Sequence, residues 1–308
     1  MSEGLNASEI AGCLEMARPV LARYTAGEIS AEVAVMRLLL ALGGMTPLAE
    51  CLAALARGAG DEPAIQELQR VMAAHQSTLA GAAELVEQGL ARERAGTIAA
   101  IRDQFDRAVA IAPEAAVALY SLGSAMTLDR ATAELVARLD EWQLLGSDIA
   151  ALDIGCGVGR LEAVLAPRLR AITGIDVSPR MIAEARRRCA GLGNVDFMVC
   201  DGTGLTAFAG RHYDLILAID TFPYLVAADP ALAETHIADA TQLLPNGGSL
   251  AILNYSYRGD LDADRQAVSD LATRYGFAVT RNGTRDFTLW DGATFLLRRM
   301  VEQRETHQ

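Results

Sequence analysis

Apolar residues over the first 145 or so positions recur at helical intervals. Ile10, Leu14, Ala17, Leu21 and Tyr24 keep the i, i+4, i+7, i+11, i+14 spacing that aligns side chains on one helix face. Ile29, Val33 and Leu40 repeat the pattern, as do Ile65, Leu68 and Met72. Gly43-Gly44 with Pro47, and the stretch 58–63, punctuate these segments. An Ala-rich stretch runs over 63–112, and Pro113 suits the first turn of a new short helix. Leu128, Leu135, Leu139 and Trp142 mark a further amphipathic helix ending near Gly146. No strand is expected before position 149.

From there the period changes. Short β-type runs at 149–154, 171–175, 195–199, 213–219, 249–253, 277–280 and 294–299 alternate with helical runs at 161–169, 179–190, 230–244 and 261–275. Such alternation predicts an α/β unit, a mostly parallel seven-stranded sheet with helices on both faces. No helix separates the last two runs, so the last strand is expected to be antiparallel. The resulting division is an all-helical region over 1–112 and an α/β domain over 113–308 with a helical lead-in to about 146. The helical region suits dimerisation or covering of a site.

Composition narrows the chemistry. With 27 Lys+Arg against 39 Asp+Glu the net charge is -12, which argues against nucleic-acid backbones and anionic membrane surfaces as partners. There is no lysine, so Schiff-base chemistry, a P-loop lysine and a lysine general base are excluded. Cys13, Cys51, Cys156, Cys189 and Cys200 are odd in number and contain no CxxC pair, so neither a disulfide framework nor a metal site is expected and a cytoplasmic setting is. The first ten residues lack the apolar run of a signal peptide, and the apolar stretch 33–42 is too short to span a bilayer.

The chemistry-bearing motif is Leu152-Asp153-Ile154-Gly155-Cys156-Gly157-Val158-Gly159-Arg160, where the first strand meets the first helix of the α/β region. Glycines there let backbone turn sharply and approach a ligand at the carboxyl edge of the strands. The second strand ends in Asp176, placed to accept hydrogen bonds from ribose hydroxyls, and the third runs into Asp201-Gly202. A dinucleotide fingerprint has the spacing G-x-G-x-x-G, whereas this loop reads Gly155-x-Gly157-x-Gly159.

In these features 152–299 resembles the class I S-adenosylmethionine-dependent methyltransferases. The resemblance implies a Rossmann-like sheet, S-adenosyl-L-methionine as cofactor and S-adenosyl-L-homocysteine as its product. It also implies cofactor-binding roles for Asp153, Gly155, Cys156, Gly157, Gly159, Asp176, Val177, Asp201, Gly202 and Ile219. Tyr120 fits a segment that, in relatives, folds over the cofactor; the other reading is a packed tyrosine beside a helix cap at Gly123. The run 243–253 resembles the family's turn and fifth strand but lacks the usual basic residue beside its proline.

Asp220-Thr221-Phe222-Pro223-Tyr224 departs from the Asn/Asp-Pro-Pro-Tyr box of exocyclic-amine methylases, which turns the reading toward a small-molecule acceptor methylated on O, N or S. The alternatives are a non-catalytic cofactor-fold module whose helical domain binds a partner, and a protein or RNA methyltransferase. Catalytic candidates are Tyr255, Tyr257, Asp220 and His236; substrate-binding candidates are Phe222, Tyr224, Arg258 and Trp290. Six of the eight have a structural counterpart. Tyr255 and Tyr257 alternate, so one of them packs; Asp220 caps a turn; His236 is a satisfied core histidine; Arg258 pairs with Asp260 or Asp262; Trp290 shapes a turn.

Overall fold

The computed structural model describes residues 5–59, 62–91 and 96–300. It comprises two compact units, one of Met1–Arg92, Arg107–Glu134 and Phe287–Asp291, the other of Glu93–Asp106, Leu135–Asp286 and Gly292–Gln308. Residues 96–106 group with the sheet and 107–134 with the helices.

The helical unit is built on α1 (Ala7–Thr25), α2 (Ala31–Leu42), α3 (Met45–Ala59), α4 (Pro63–Ala74) and α5 (Gln76–Glu87). Helix α6 (Ile98–Ile111) enters it from the other unit, α7 (Pro113–Val117) follows, and α8 (Ala125–Glu141) leads back. Local chemistry sets the ends. Asn6 and Glu9 form a reciprocal capping box on α1, the Ser30 hydroxyl caps α2, and Gly43 at φ 83° closes α2 in the left-handed conformation. Helix α2 packs on α1, α3, α4 and α5. That packing fully buries Leu38, Leu39, Leu48, Leu52, Leu68 and Leu79. Among the described residues no single helix is long and apolar enough to cross a membrane; α2 with α3 reaches that length only as a pair bent by 117°.

The second unit holds the sheet: β1 (Ala150–Ile154), β2 (Ala171–Asp176), β3 (Val195–Val199), β4 (Leu215–Ile219), β5 (Ser249–Leu253), β6 (Phe277–Thr284) and β7 (Thr294–Arg299), in the order β3-β2-β1-β4-β5-β7-β6. The first five pair in parallel and β7 runs antiparallel between β5 and β6, the antiparallel last strand that the sequence leads one to expect. Strand β6 is longer than its apolar run because two register shifts, at Val279/Arg281 and Asn282/Thr284, break the alternation beyond Thr280.

Helices α9 (Arg160–Leu165), α10 (Pro179–Arg188), α11 (Phe222–Ala228), α12 (Pro230–Leu243) and α13 (Leu261–Arg274) connect the strands. α9 ends sooner than expected, passing into a 3-10 turn at Ala166–Arg168 around Pro167. α11 was not expected; at seven residues it is too short to declare a helical period. Strand β1 lies between β2 and β4, so the chain order reverses beside it. A sheet of this kind opens a ligand crevice there, at the carboxyl ends.

Candidate active site

The turn after β1 is held by two backbone bonds, Gly155 N–H and Cys156 N–H to the Ile175 carbonyl at 2.7 and 3.0 Å. Gly155 sits at φ +75°, and a Cβ on it would come within 2.2 Å of Thr221 Oγ1. Only glycine permits both that conformation and that approach. At Gly159 a Cβ would meet Ala185 of α10 and the Phe197 ring of β3, so this residue lets α9 start hard against its neighbours. The Cys156 thiol is buried, and burial pushes its pKa well above the ordinary thiol range. It therefore stays protonated and fills space.

Asp176 ends β2 with a buried carboxylate. One oxygen accepts Gly157 N–H at 3.0 Å and the other accepts Ser178 N–H at 2.8 Å. Each oxygen has a further lone pair, so the group is oriented and still able to take two hydroxyl donors. Burial raises its pKa to about 6, against the two backbone donors that pull it down. Val177 is half-buried, and a Cβ on Gly202 would come within 2.8 Å of its Cγ1 and 2.9 Å of Ile98. Val177, Gly202 and Ile98 thus converge beside Asp176. Asp201 is exposed; one of its oxygens accepts both the N–H and the hydroxyl of Thr203 at 2.9 Å, and those donors lower its pKa.

Beneath the loop, Asp153 and Glu162 are both buried. Asp153 Oδ1 and both Glu162 oxygens meet no hydrogen-bond donor among the described residues. Burial first, and then mutual repulsion, raises the Glu162 pKa strongly; burial raises that of Asp153 as well. Burial and the neighbouring acid thus push both carboxyl groups toward their neutral forms. Gly174 makes the room, since a Cβ there would lie 2.5 Å from Glu162 Oε1.

At the ends of β4 and β5 two non-glycine residues adopt left-handed backbone, Asp220 at φ 56° and Asn254 at φ 63°. They follow the paired residues Ile219 and Leu253, so they stand opposite one another. Asn254 Nδ2 donates to Asp220 Oδ1 at 2.7 Å and the Tyr257 hydroxyl donates to the same oxygen at 2.6 Å. Asn254 is itself fixed by exchanging bonds with Ala293, its Oδ1 accepting Ala293 N–H and its N–H reaching the Ala293 carbonyl, both at 2.8 Å. Ile219, half-buried, is the last residue of β4 before this cluster.

Helix α6 supplies groups that sequence reasoning missed. Asp106 Oδ1 accepts the Ser178 hydroxyl at 2.6 Å and Arg180 N–H at 3.1 Å, tying α6 to the start of α10. Phe105 meets Tyr224 edge to face with centroids 5.0 Å apart, and Tyr224 meets Tyr257 in the same way at 6.2 Å. Nothing in the local pattern of α6 marks these residues, because their partners lie more than seventy positions away.

Several sequence candidates belong elsewhere. Tyr255 is buried in the hydrophobic core between the rings of Phe222 and Phe295, so of the alternating pair it is the one that packs. Phe222 is fully buried in that core and is not placed to read a substrate. The buried His236 donates Nδ1–H to the Leu232 carbonyl at 2.8 Å, and burial lowers its pKa, which makes it a neutral core histidine. Arg258 pairs with the buried Asp264 at 2.6 Å rather than with Asp260 or Asp262. Tyr120 and Trp290 are buried in the helical unit, their ring centroids 6.1 Å apart; Phe287 packs on Trp290, and Asp291 beside it pairs with Arg37 and Arg23.

Residues 151–248 match a family model described as a methyltransferase domain. The chain is 30% identical over 106 residues to the demethylmenaquinone methyltransferase of Tropheryma whipplei (strain Twist), covering 34% of this chain and 41% of that protein. It is 31% identical over 101 residues to nodulation protein S of Sinorhizobium fredii (strain NBRC 101917 / NGR234), covering 32% of this chain and 44% of the relative. The match thus spans less than half the length of either. Among solved structures, magnesium protoporphyrin IX methyltransferase from Synechocystis PCC 6803 with bound SAM is similar at 22% identity and a TM-score of 0.43, covering 56% of this chain and 80% of that one.

Proposed function

We propose, from a chain whose residues 151–248 form a class I S-adenosylmethionine-dependent methyltransferase domain, that the protein transfers a methyl group to an O, N or S atom of a small molecule. The observation that carries the reading is the pairing of a side-chain-free turn at Gly155 with a buried, pre-oriented carboxylate at Asp176. That combination fits an adenosyl group: the turn accepts a close approach, and Asp176 offers one lone pair to each ribose hydroxyl. When bound, S-adenosylmethionine supplies an electrophilic methyl on a sulfonium.

Asp153, Gly155, Gly157, Asp176, Val177, Gly202 and Ile219 would hold it, with Ile98 closing on Gly202. No nucleophile on the protein is required, in accord with a Cys156 that burial keeps protonated. Asp220, whose Oδ1 accepts from Asn254 and Tyr257, would orient an acceptor or take its proton. The small-molecule class is supported by relatives such as the demethylmenaquinone methyltransferase and by the net charge of -12, which gives no purchase to polyanions. Five unbridged thiols suit a reducing cytoplasm.

The test is calorimetry with S-adenosylmethionine and S-adenosylhomocysteine, followed by incubation with a metabolite extract and mass spectrometry. Binding of both, with a metabolite gaining one methyl group, supports the proposal. Absence of binding refutes it.

A further inference from the structure

Ser178, fully buried at the start of α10, stands between two carboxylates that belong to different elements. Its N–H donates to Asp176 Oδ1 at 2.8 Å, and its hydroxyl donates to Asp106 Oδ1 of α6 at 2.6 Å. The direction of the second bond is forced. The Ser178 oxygen already accepts Met181 N–H at 3.0 Å, and a carboxylate offers no proton, so the hydroxyl proton points at Asp106. The same Asp106 oxygen accepts Arg180 N–H at 3.1 Å, and the Asp106 carbonyl accepts from Arg180 Nη1 at 3.4 Å.

A serine that caps a helix needs only the bond from Met181 N–H. The bond to Asp106 is additional, and without it a fully buried hydroxyl would lose its acceptor. Helix α6 also comes to this segment a second time. Ile98 closes on Gly202, and so does Val177, which lies between Asp176 and Ser178; a Cβ on Gly202 would be 2.9 Å from the first and 2.8 Å from the second. The acid that ends β2 is therefore braced from α6 as well as from the glycine turn.

We propose that Asp106 is a positioning residue for the cofactor: through Ser178 it fixes the Asp176 carboxylate that meets the ribose hydroxyls. The inference rests on the methyltransferase reading above and adds a residue to its cofactor site. Asp106 acts in two ways. As an acceptor it holds Ser178, and with it the N–H that orients Asp176. As a charge it opposes the ionisation of Asp176, adding to the burial that raises the pKa of that acid. Among the described residues the other titratable groups facing Asp176 are Asp153 from β1, Cys156 from the turn and Cys200 after β3. Burial keeps both thiols protonated, so Asp106 and Asp153 are the neighbours whose charge bears on Asp176.

Calorimetric titration of the full chain with S-adenosylhomocysteine tests both roles. At about pH 7.5 we expect Asp106→Ala to bind about five-fold more weakly than the parent. Asp106→Asn, whose amide oxygen still accepts from Ser178 and Arg180, should recover most of that loss. In an Asp176→Ala background Asp106→Ala should cost less than about two-fold, because the acid it positions is gone. The charge is read from pH. Between about pH 7.5 and about pH 5.5 native Asp176 takes up a proton, its pKa being about 6. Asp106→Asn, with the opposing charge removed, should lose about three-fold less affinity than the parent over that range. Equal factors for Asp106→Ala in the two backgrounds would reduce Asp106 to a structural residue and overturn the proposal, as would an alanine variant that binds as tightly as the parent. Should Asp106→Ala show no thermal unfolding transition, Asp106→Asn decides: a ratio to the parent that is the same at both pH values overturns the proposal. Failure of the parent protein to bind S-adenosylhomocysteine at all is the separate result that refutes the methyltransferase reading itself.

Discussion

Replacing Gly155 by alanine puts a methyl group where the turn has no space. Its Cβ would lie 2.2 Å from Thr221 Oγ1 and 2.9 Å from Thr221 Cγ2, on a residue at φ +75°. Three contributions set the cost. The left-handed backbone costs an alanine about 1–2 kcal/mol. The contact is relieved when Thr221 rotates away, which breaks its 2.6 Å hydrogen bond to the Ile154 carbonyl and costs about 0.5–1.5 kcal/mol more. Alanine's stiffer unfolded chain offsets about 0.5–1 kcal/mol. The net expectation is a destabilisation of roughly 1–3 kcal/mol.

A double-mutant cycle separates strain from collision. Thr221→Ala alone loses the hydrogen bond; in its background Gly155→Ala meets neither Oγ1 nor Cγ2 and retains the backbone strain and the 3.1 Å approach to the Cβ of residue 221. The pair should therefore be less than additive by about 1 kcal/mol, read from urea unfolding at constant m. Strict additivity would mean that the turn does not press on Thr221, and a Gly155→Ala protein as stable as the parent would remove the argument that this turn demands glycine.

Asp176→Ala should weaken S-adenosylhomocysteine binding by about 1–3 kcal/mol, measured by calorimetry, since ribose hydroxyls would lose an oriented acceptor; unchanged affinity would mean the acid is misassigned. With its pKa raised by burial to about 6, native Asp176 keeps a proton that the unfolded chain has already released. Stability of the ligand-free protein from this group therefore falls as pH rises from about 4 to about 6, and Asp176→Asn should flatten that slope in thermal melts. His236→Gln, a change in the core, should lower the melting temperature without moving the pH profile of turnover, whereas a shifted profile would restore it as a base. Arg258→Ala should cost about 1–2 kcal/mol by stranding the buried Asp264, less than a fully buried pair because Arg258 is partly exposed; an unchanged unfolding midpoint would argue that water replaces the arginine.

Much of the sheet was legible because its signals are local. Strand-length apolar runs, the Gly155–Gly159 turn and the acid that ends β2 are each written within a few consecutive residues, and the sheet brings the turn and the acid together. What escaped reading depends on distant contacts. Phe105 and Asp106 look like any helix residues until α6 is seen against α10 and α11. Glu162 has the pattern of a solvated helix carboxylate, yet Gly174, a strand away, opens a buried space for it. The alternation of Tyr255 and Tyr257 told that one packs but not which. The choice was made by Phe222 and Phe295, whose rings receive Tyr255 and leave Tyr257 outside. Asn254 carried no motif; its role follows from the β4–β5 register that sets it opposite Asp220.

The central claim is that the carboxyl edge of β1 and β2 grips an adenosyl sulfur compound, and calorimetric titration of the full chain tests it most directly. The account predicts one equivalent of S-adenosylhomocysteine bound, markedly weaker binding in Asp176→Ala, and no heat from a nicotinamide dinucleotide. Saturable dinucleotide binding, or no heat with S-adenosylhomocysteine, would contradict it.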